Sequence, residues 1–291
     1  MKSSTMTVQS NDEAPKSGRA PLAAFYWVLF TVWSLFFTWK VITQHRVDLW
    51  PILAGLLASL VARLALRCFS TSPLFSNTAV SLLAAALGGF SAAWMAYNEW
   101  HSKGWSSLTN NYLLIHKPWQ GAHFLLCSYM GYLFFDVFDV LLANLHDKLP
   151  YILFHHTVVL IAFSTLILYD YGYNYLILFL ICEIHSTVAY LRCLLRMLGQ
   201  RRDGTLYVKG EWGFHWVSYV IARLALHILI CIKVALNWPS ISVLMDWPIW
   251  QWPVMVSWIL GMNIWNINLA GELYRAFLRE VYGVGKSLKV T

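Results

Sequence analysis

Apolar residues run through the chain in eight long stretches that short polar segments separate. An α-helix needs roughly 17–25 such residues to cross a bilayer. The stretches are 23–39, 49–66, 79–97, 122–143, 152–169, 174–197, 214–236 and 248–272. This pattern predicts an all-α polytopic membrane protein with about eight spans. Two runs depart most from the pattern: 23–39 is short, and 49–66 contains Arg63.

Composition points the same way. The chain is 58% hydrophobic and only 12% charged, which leaves too few charges to cover soluble domains of this length. The five cysteines fall in or beside the apolar runs, without the paired spacing of a zinc site or a disulfide framework. We therefore expect no metal site and no bound cofactor.

The residues behind the net charge of +7 indicate how the chain is oriented in the membrane. With eight spans, the lysines and arginines that flank them divide twelve to four in favour of the side carrying both termini. Basic residues concentrate on the cytosolic side of membrane proteins, so both termini are predicted to be cytosolic. The basic residues are also dispersed along membrane edges, where they suit anionic headgroups, and nucleic acid is not an expected partner.

The chain divides into one membrane domain and its flanks. Residues 1–21 are polar and lack the apolar core of a cleaved signal, so we expect a disordered cytosolic tail. The other predicted units are an N-terminal transmembrane hairpin at 22–70, a six-helix membrane domain at 71–282 and a cytosolic tail at 283–291.

The adjacent pair His155-His156 is the strongest candidate for chemistry, because it interrupts an otherwise apolar run. Asp136 and Asp139, three residues apart in the preceding run, share a helical face and need a common interior. Adjacent helical residues point about 100° apart, which is unsuited to chelating one metal. We predict His155, His156, Asp136 and Asp139 as catalytic residues in proton or acyl transfer. The alternative is that the aspartates pair with Arg192 or Arg223 and serve only helix packing.

A second polar set lies in the sixth and seventh apolar runs. Tyr219, Arg223 and His227 recur every four residues, and Glu183 and Arg192 lie in the preceding run. These five residues are predicted to bind substrate as the polar lining for a lipid headgroup, with an arginine holding phosphate or carboxylate. An ion pair between Glu183 and Arg223 that only fixes packing is the alternative.

The ordered set of these residues resembles the TLC domain, which ceramide synthases and the translocating-chain-associated protein share. The resemblance runs from about 75 to 279, over the last six spans, and is closest to the branch linked to membrane fluidity and phospholipid composition. It implies a six-helix bundle or barrel around a narrow acyl-chain cavity, preceded by two N-terminal transmembrane helices. Its carriers are Asn77, Ser81, Gly131, Tyr132, Asp136, Asp139, His155, His156, Glu183, Arg192 and Arg223.

By resemblance, the chemistry is acyl transfer from a thioester such as acyl-CoA, acting as co-substrate, to a phospholipid or related acceptor. Membrane lipids and fatty acyl chains are the expected partners, in the plasma membrane or endoplasmic reticulum. Two departures bear on this. The segment Glu183-Ile-His-Ser-Thr-Val-Ala-Tyr190 lacks the aspartates of ceramide synthases, which disfavours sphingoid N-acylation, and Ala84-Ala85 replaces a His-Ser pair common in the branch.

These departures keep a second class of function open, a non-catalytic lipid-binding regulator of membrane composition and fluidity. Whether the chain is an enzyme is therefore undecided by the sequence. A transporter would need broken spans with glycine or proline at matched mid-membrane positions. Gly89 and Gly172 do not form that pattern.

Overall fold

The computed structural model describes residues 20–146, 149–201, 204–244 and 251–283, and within them every regular element is helical. The predicted tails at 1–21 and 283–291 lie almost entirely outside the described residues. A short 3₁₀ turn, Val47–Leu49, links the first two helices. The helices are α1 (Ala20–Thr43), α2 (Trp50–Arg67), α3 (Pro73–Lys103), α4 (Ser106–Thr109), α5 (Asn111–His116), α6 (Ala122–Leu142), α7 (Pro150–Leu168), α8 (Tyr173–Leu180), α9 (Glu183–Met197), α10 (Leu206–Ser218), α11 (Leu226–Leu244) and α12 (Gln251–Tyr282).

Seven helical stretches among the described residues are long and apolar enough to cross a membrane. They coincide, within a few residues at either end or by enclosing it, with each of the first seven predicted runs, which confirms an all-α polytopic membrane protein. The eighth run, 248–272, coincides with α12, which is long enough but is not among the seven. Asn263, Asn266 and Asn268 lower the hydropathy of this helix. The stretches are Pro21–Thr43, Val47–Arg67, Pro73–Lys103, Ala122–Leu142, Pro150–Leu168, Tyr173–Met197 and Leu206–Ile241.

Local sequence signals set the ends of the helices that carry the site. Ser72 caps α3 by accepting a hydrogen bond from the backbone N–H of Phe75, and Pro73 occupies the first helical turn. Proline is suited to that turn because its missing N–H would have no partner there. Gly104, with φ of 77°, ends α3, and Pro150 begins α7. These ends place the polar residues of α3 and α7 near one end of the bundle.

Helix α6 lies at the centre of the bundle. It contacts α2, α3, α7 and α8, while α3 packs along α9 on the other side. Helix α10 continues through a π-helical segment, Tyr219–Ala225, into α11, and α12 packs against these three elements. The α1 helix packs on α6 and α7, whereas α2 packs on α6 and α3. Both N-terminal helices therefore lie against the membrane domain.

Two glycines allow α2 and α6 to touch at their backbones. A Cβ added at Gly131 would lie 2.0 Å from the carbonyl oxygen of Ile52, and one added at Gly55 would lie 2.0 Å from that of Ser128. Small residues at a crossing allow this approach, which strengthens dispersion between helices that have no hydrophobic driving force in lipid. The position of α2 on α6 is thereby set at backbone level.

Candidate functional site

Asp136 is the centre of a buried hydrogen-bond cluster formed by α3, α6 and α7. Its Oδ1 accepts bonds from Asn77 Nδ2 at 3.0 Å and Ser81 Oγ at 3.3 Å. Its Oδ2 lies 2.5 Å from Nδ1 of His156. All four residues are buried, and the Asp136 residue is 1% exposed. The carboxylate is thus fully surrounded by polar partners, as a buried charge requires.

Asp139 extends this cluster towards α2. The Nδ2 group of Asn77 lies 3.1 Å from Asp139 Oδ2, so one amide joins the two carboxylates. Arg63 Nε lies 3.1 Å from the same carboxylate, in an ion pair that is almost completely buried. The two aspartates do share an interior, but the sequence alternative of a pair with Arg192 or Arg223 is wrong. The arginine comes from α2 because the glycine crossing brings that helix against α6.

Helical spacing explains how three helices supply this cluster. Asn77 and Ser81, four residues apart, face α6 from the first two turns of α3. Asp136 and Asp139 face back from the last turns of α6. His156 lies six residues after Pro150, or about 9 Å along α7. All three contributions therefore lie at one end of the bundle.

The bond to Asp136 orients the imidazole of His156. An ionised carboxylate only accepts hydrogen bonds, so the contact favours the tautomer with its proton on Nδ1. Nε2 then carries the lone pair of the ring. The ring of His155 lies with its centroid 5.6 Å from that of His156, and its buried Nδ1 has no hydrogen-bond partner within the described ranges. Of the pair, His156 is the oriented base.

Both histidines line an internal space that we call the histidine cavity. It has two compartments with mainly apolar walls. We call the one that Arg223, His185 and Ser186 also line the polar compartment, and the other the apolar compartment. The apolar compartment, about 40 Å³, and the polar compartment, about 200 Å³, share His155, His156 and Glu183 on their walls. The apolar walls are formed by Tyr129, Leu133, Val159, Phe163, Phe179, Leu180, Cys182, His227, Ile259, Met262 and Asn263. The polar compartment is lined by Tyr151, Ile152, His185, Ser186, Ala189, Tyr190, Arg223, Trp265, Leu269 and Leu273.

Glu183 and Arg223 both line the polar compartment, and no ion pair joins them among the described residues. Glu183 occupies the first turn of α9, directly after the break that separates α8 from α9, where the helix dipole favours a carboxylate. Arg223 donates from Nη2 to Ser186 Oγ at 2.7 Å, and its Nε has no partner. Both charges therefore line the cavity instead of neutralising each other.

The π-helical segment presents Arg223 to this space. Such segments widen a helix locally and occur frequently at functional sites. Tyr219, at the start of the segment, is buried and donates to the carbonyl of Asn266 at 2.5 Å. His227, four residues after Arg223, lies with Nδ1 2.8 Å from Nδ2 of Asn266 and lines the apolar compartment. Tyr219 thus supports the wall, whereas Arg223 and His227 form part of it.

Arg192 lies apart from the histidine cavity. Its guanidinium stacks on the ring of Trp212 at 4.2 Å and lies 3.6 Å from Glu280 of α12. Glu280 also pairs with Arg196 at 3.4 Å and Arg201 at 2.7 Å. This network ties the ends of α9, α10 and α12 together. The prediction that Arg192 shares the interior with the histidines is therefore wrong, because the side chain points towards the end of α9.

Three residues that complete the site, Asn77, Ser81 and Arg63, are not predicted as site residues from the sequence. Asn77 and Ser81 were recognised as family positions, but their roles as donors to the aspartates were not assigned. From the sequence, Arg63 is only a charge within an apolar run. The sequence does contain a signal for Asn77 and Ser81. They are hydrogen-bond donors four residues apart on one helical face, and the two buried carboxylates need such donors.

A family model described as the TLC domain matches residues 74–275, more than half of the chain. The matched region includes the Asp136 cluster except Arg63, and every residue of both cavity compartments. It agrees with the resemblance predicted from the sequence, whereas the membrane-fluidity branch stays a prediction. Among curated proteins and solved structures, none matches the chain.

Proposed function

This chain belongs to the TLC-domain family, and we propose that it is a membrane enzyme that transfers an acyl group from a thioester donor to a lipid acceptor. The observation that carries this proposal is the 2.5 Å contact between Asp136 Oδ2 and His156 Nδ1 at the wall of a cavity with polar and apolar compartments. A carboxylate that orients a histidine is a recurrent arrangement for moving protons in acyl transfer. The apolar compartment suits an acyl chain, and the polar one suits a headgroup.

In the proposed reaction, Nε2 of His156 takes the proton of the acceptor hydroxyl or amine as the acceptor attacks the thioester carbonyl. The carbon–sulfur bond then breaks, and the leaving thiolate takes the proton back from the imidazolium. Asp136 stabilises that imidazolium through Nδ1. An acyl-CoA is a donor of the required chemistry, and the histidine returns to its starting state after each turnover.

Arg223 and Glu183 give the polar compartment charges of opposite sign. The Nε group of Arg223 has no partner among the described residues and supplies a donor for a phosphate, a carboxylate or the developing oxyanion. Glu183 accepts hydrogen bonds from an acceptor hydroxyl or amine. Together they support the binding of a polar lipid headgroup beside the histidines.

The seam between α7 and α12 offers a route from the bilayer. Tyr151 and Phe154 of α7 meet α12 at the ring of Trp265, with centroid distances of 5.4 and 5.7 Å. Tyr151 and Phe154 are 66% and 46% exposed. The polar compartment reaches the surface beside these rings, so a lipid can enter laterally with its headgroup leading.

The cytosolic location of both termini remains part of this proposal and is supported by the twelve-to-four division of flanking basic residues. The Asp136 cluster lies near the amino end of α7, on the side of the bundle assigned to the cytosol. A soluble thioester donor would therefore approach the histidines from its own compartment.

A non-catalytic lipid-binding regulator is the second candidate. The observation that favours it is the apolar compartment of about 40 Å³, which has room for roughly three water molecules. A long acyl chain must separate the surrounding helices to enter. A sensor would use that separation as its response, whereas an enzyme would need it only for substrate entry.

The deciding experiment measures acyl transfer by the purified full-length protein in lipid nanodiscs, with radiolabelled acyl-CoA and mixed phospholipid acceptors. His156→Gln should reduce the rate by about 10²–10⁴-fold, because the base is lost. The matched control is His101→Gln, an exposed histidine in the last turn of α3. It should retain the wild-type rate.

Binding of a photoreactive acyl chain to the same variants separates the two candidates. An enzyme requires that His156→Gln still binds the chain while losing transfer. Undiminished transfer by a folded His156→Gln protein contradicts histidine catalysis. Chain binding by the wild-type protein without any transfer supports the regulator.

A further inference from the structure

The two N-terminal helices leave a groove between them on the surface of α6, which we call the α1–α2 groove. It has a volume of about 460 Å³, larger than either compartment of the histidine cavity. Its walls are largely apolar and include Phe30 of α1, Leu60 and Leu64 of α2, and Phe138 of α6. The α1–α2 groove shares no lining residue with the histidine cavity.

Two arginines lie in these apolar walls, Arg63 and Arg67, one helical turn apart on α2. Arg63 is 2% exposed and bonds to Asp139 through Nε, while neither Nη1 nor Nη2 has a hydrogen-bond partner in the part of the chain that the structure describes. A buried guanidinium normally uses its donors fully, because an unpaired buried donor is costly. The two terminal nitrogens of Arg63 therefore indicate a missing acceptor.

The charges of the groove do not balance. Arg67 is exposed at the end of α2 and forms no ion pair or hydrogen bond with any described residue. Asp139 is the only acidic residue in the lining and is already paired with Arg63. The groove thus carries one excess positive charge, in a place where an anion would satisfy donors from both arginines.

The remaining surface of the α1–α2 groove suits hydrocarbon. Leu64 and Phe138 are 52% and 43% exposed and form the rim, so the groove opens towards the surface that faces the bilayer. A basic pocket beside an apolar wall near a helix end matches a lipid headgroup followed by its chain. A small soluble anion would use the arginines but leave the apolar wall uncovered.

We propose that the α1–α2 groove binds a membrane lipid with an anionic phosphate headgroup. The phosphate lies between Arg67 and the free donors of Arg63, and one acyl chain lies along Phe30, Leu64 and Phe138. This site is spatially distinct from the histidine cavity, and its occupation does not require the reaction proposed there. Its closest link to that cavity is Asp139, which contacts both Arg63 and Asn77.

The test is native mass spectrometry of the delipidated full-length protein titrated with phosphatidic acid. Arg67→Gln should weaken binding about tenfold, since it removes one charge-assisted contact. Leu64→Trp should weaken it comparably by filling the groove from its rim while leaving both arginines in place. Neither change removes an intramolecular bond, so both variants should fold.

Matched variants elsewhere serve as controls. Lys209→Gln removes an exposed charge from α10, and Leu57→Trp enlarges an exposed residue of α2 that does not line the groove. Both should bind phosphatidic acid as the wild type does. Unchanged binding by Arg67→Gln and Leu64→Trp, relative to these controls, would overturn the proposal.

Two further titrations test which part of the lipid is recognised. Diacylglycerol with the same chains, which lacks the phosphate, should bind at least tenfold more weakly than phosphatidic acid. Glycerol 3-phosphate at equal concentration should not displace phosphatidic acid. Full displacement would show that the arginines hold a free phosphate and that no lipid site exists, and equal binding of diacylglycerol would exclude recognition of the phosphate.

Discussion

Replacing Gly131 by alanine tests the packing on which the whole site depends. The added Cβ would lie 2.0 Å from the carbonyl oxygen of Ile52 and 2.7 Å from the backbone nitrogen of Leu56. Real Cβ contacts are essentially never shorter than 3.0 Å, so α2 and α6 would have to separate by about 1 Å. The obstacle is backbone, which cannot rotate away as a side chain would.

The cost can be estimated from two opposing effects. Overpacking at a tight contact costs roughly 1–3 kcal/mol, and a rigid backbone neighbour places this site at the upper end. Alanine recovers about 0.8–1.0 kcal/mol through its higher helix propensity. The net loss is therefore about 2 kcal/mol, which corresponds to a fall in Tm of about 4–8 °C.

The assay is thermal unfolding of the purified protein in nanodiscs, followed by tryptophan fluorescence. Gly213→Ala is the matched control, because a Cβ at that exposed helical position meets nothing within 4 Å. Its Tm should stay equal or rise slightly. If Gly131→Ala were as stable as Gly213→Ala, the close crossing of α2 and α6 would be refuted, and with it the reason that Arg63 reaches Asp139.

Three other predictions concern the Arg63–Asp139 ion pair, the Glu280 network and the membrane topology. Arg63→Leu should destabilise the protein by about 3–5 kcal/mol because it strands a buried carboxylate, whereas Arg63→Leu with Asp139→Leu should recover most of the loss in thermal unfolding. Glu280→Gln should lower Tm, since three arginines converge on this carboxylate, and salt should not restore it. Tags at Met1 and Thr291 should become accessible from the same side of sealed vesicles, and labelling from opposite sides would contradict the eight-span topology.

Much of the fold was predictable because lipid imposes a simple requirement on sequence. A helix that crosses a bilayer must satisfy its own backbone, so each span appears as one continuous apolar run. The runs at 23–39 and 49–66 departed from that pattern, yet both form long helices. The 49–66 run tolerates Arg63 because its charge is buried against Asp139 instead of facing lipid.

The candidate site was predictable in part. Because Asp136 and Asp139 are three residues apart, the sequence correctly placed them on one interior face. In the structure, the side-chain amide of Asn77 donates hydrogen bonds to both. Which arginine would pair with them depends on which helices are neighbours, and that follows from backbone contacts at Gly55 and Gly131. The same uncertainty explains why the predicted position of Arg192 is wrong. Its apolar sequence surroundings suggested that it lines the cavity, but its partner in the structure is Glu280.

The contact between Arg63 and Asp139 extends the functional unit beyond the family domain. The family match begins at residue 74, after α2 has ended, yet α2 supplies the positive charge nearest to the paired carboxylates. Without it, Asn77 would be the remaining protein donor to Asp139, and one neutral amide is a weak counterpart for a buried charge. The carboxylate would then draw Asn77 away from Asp136, which disturbs the partner of His156. Helix α2 is therefore part of the proposed catalytic structure, and a minimal active fragment must include it.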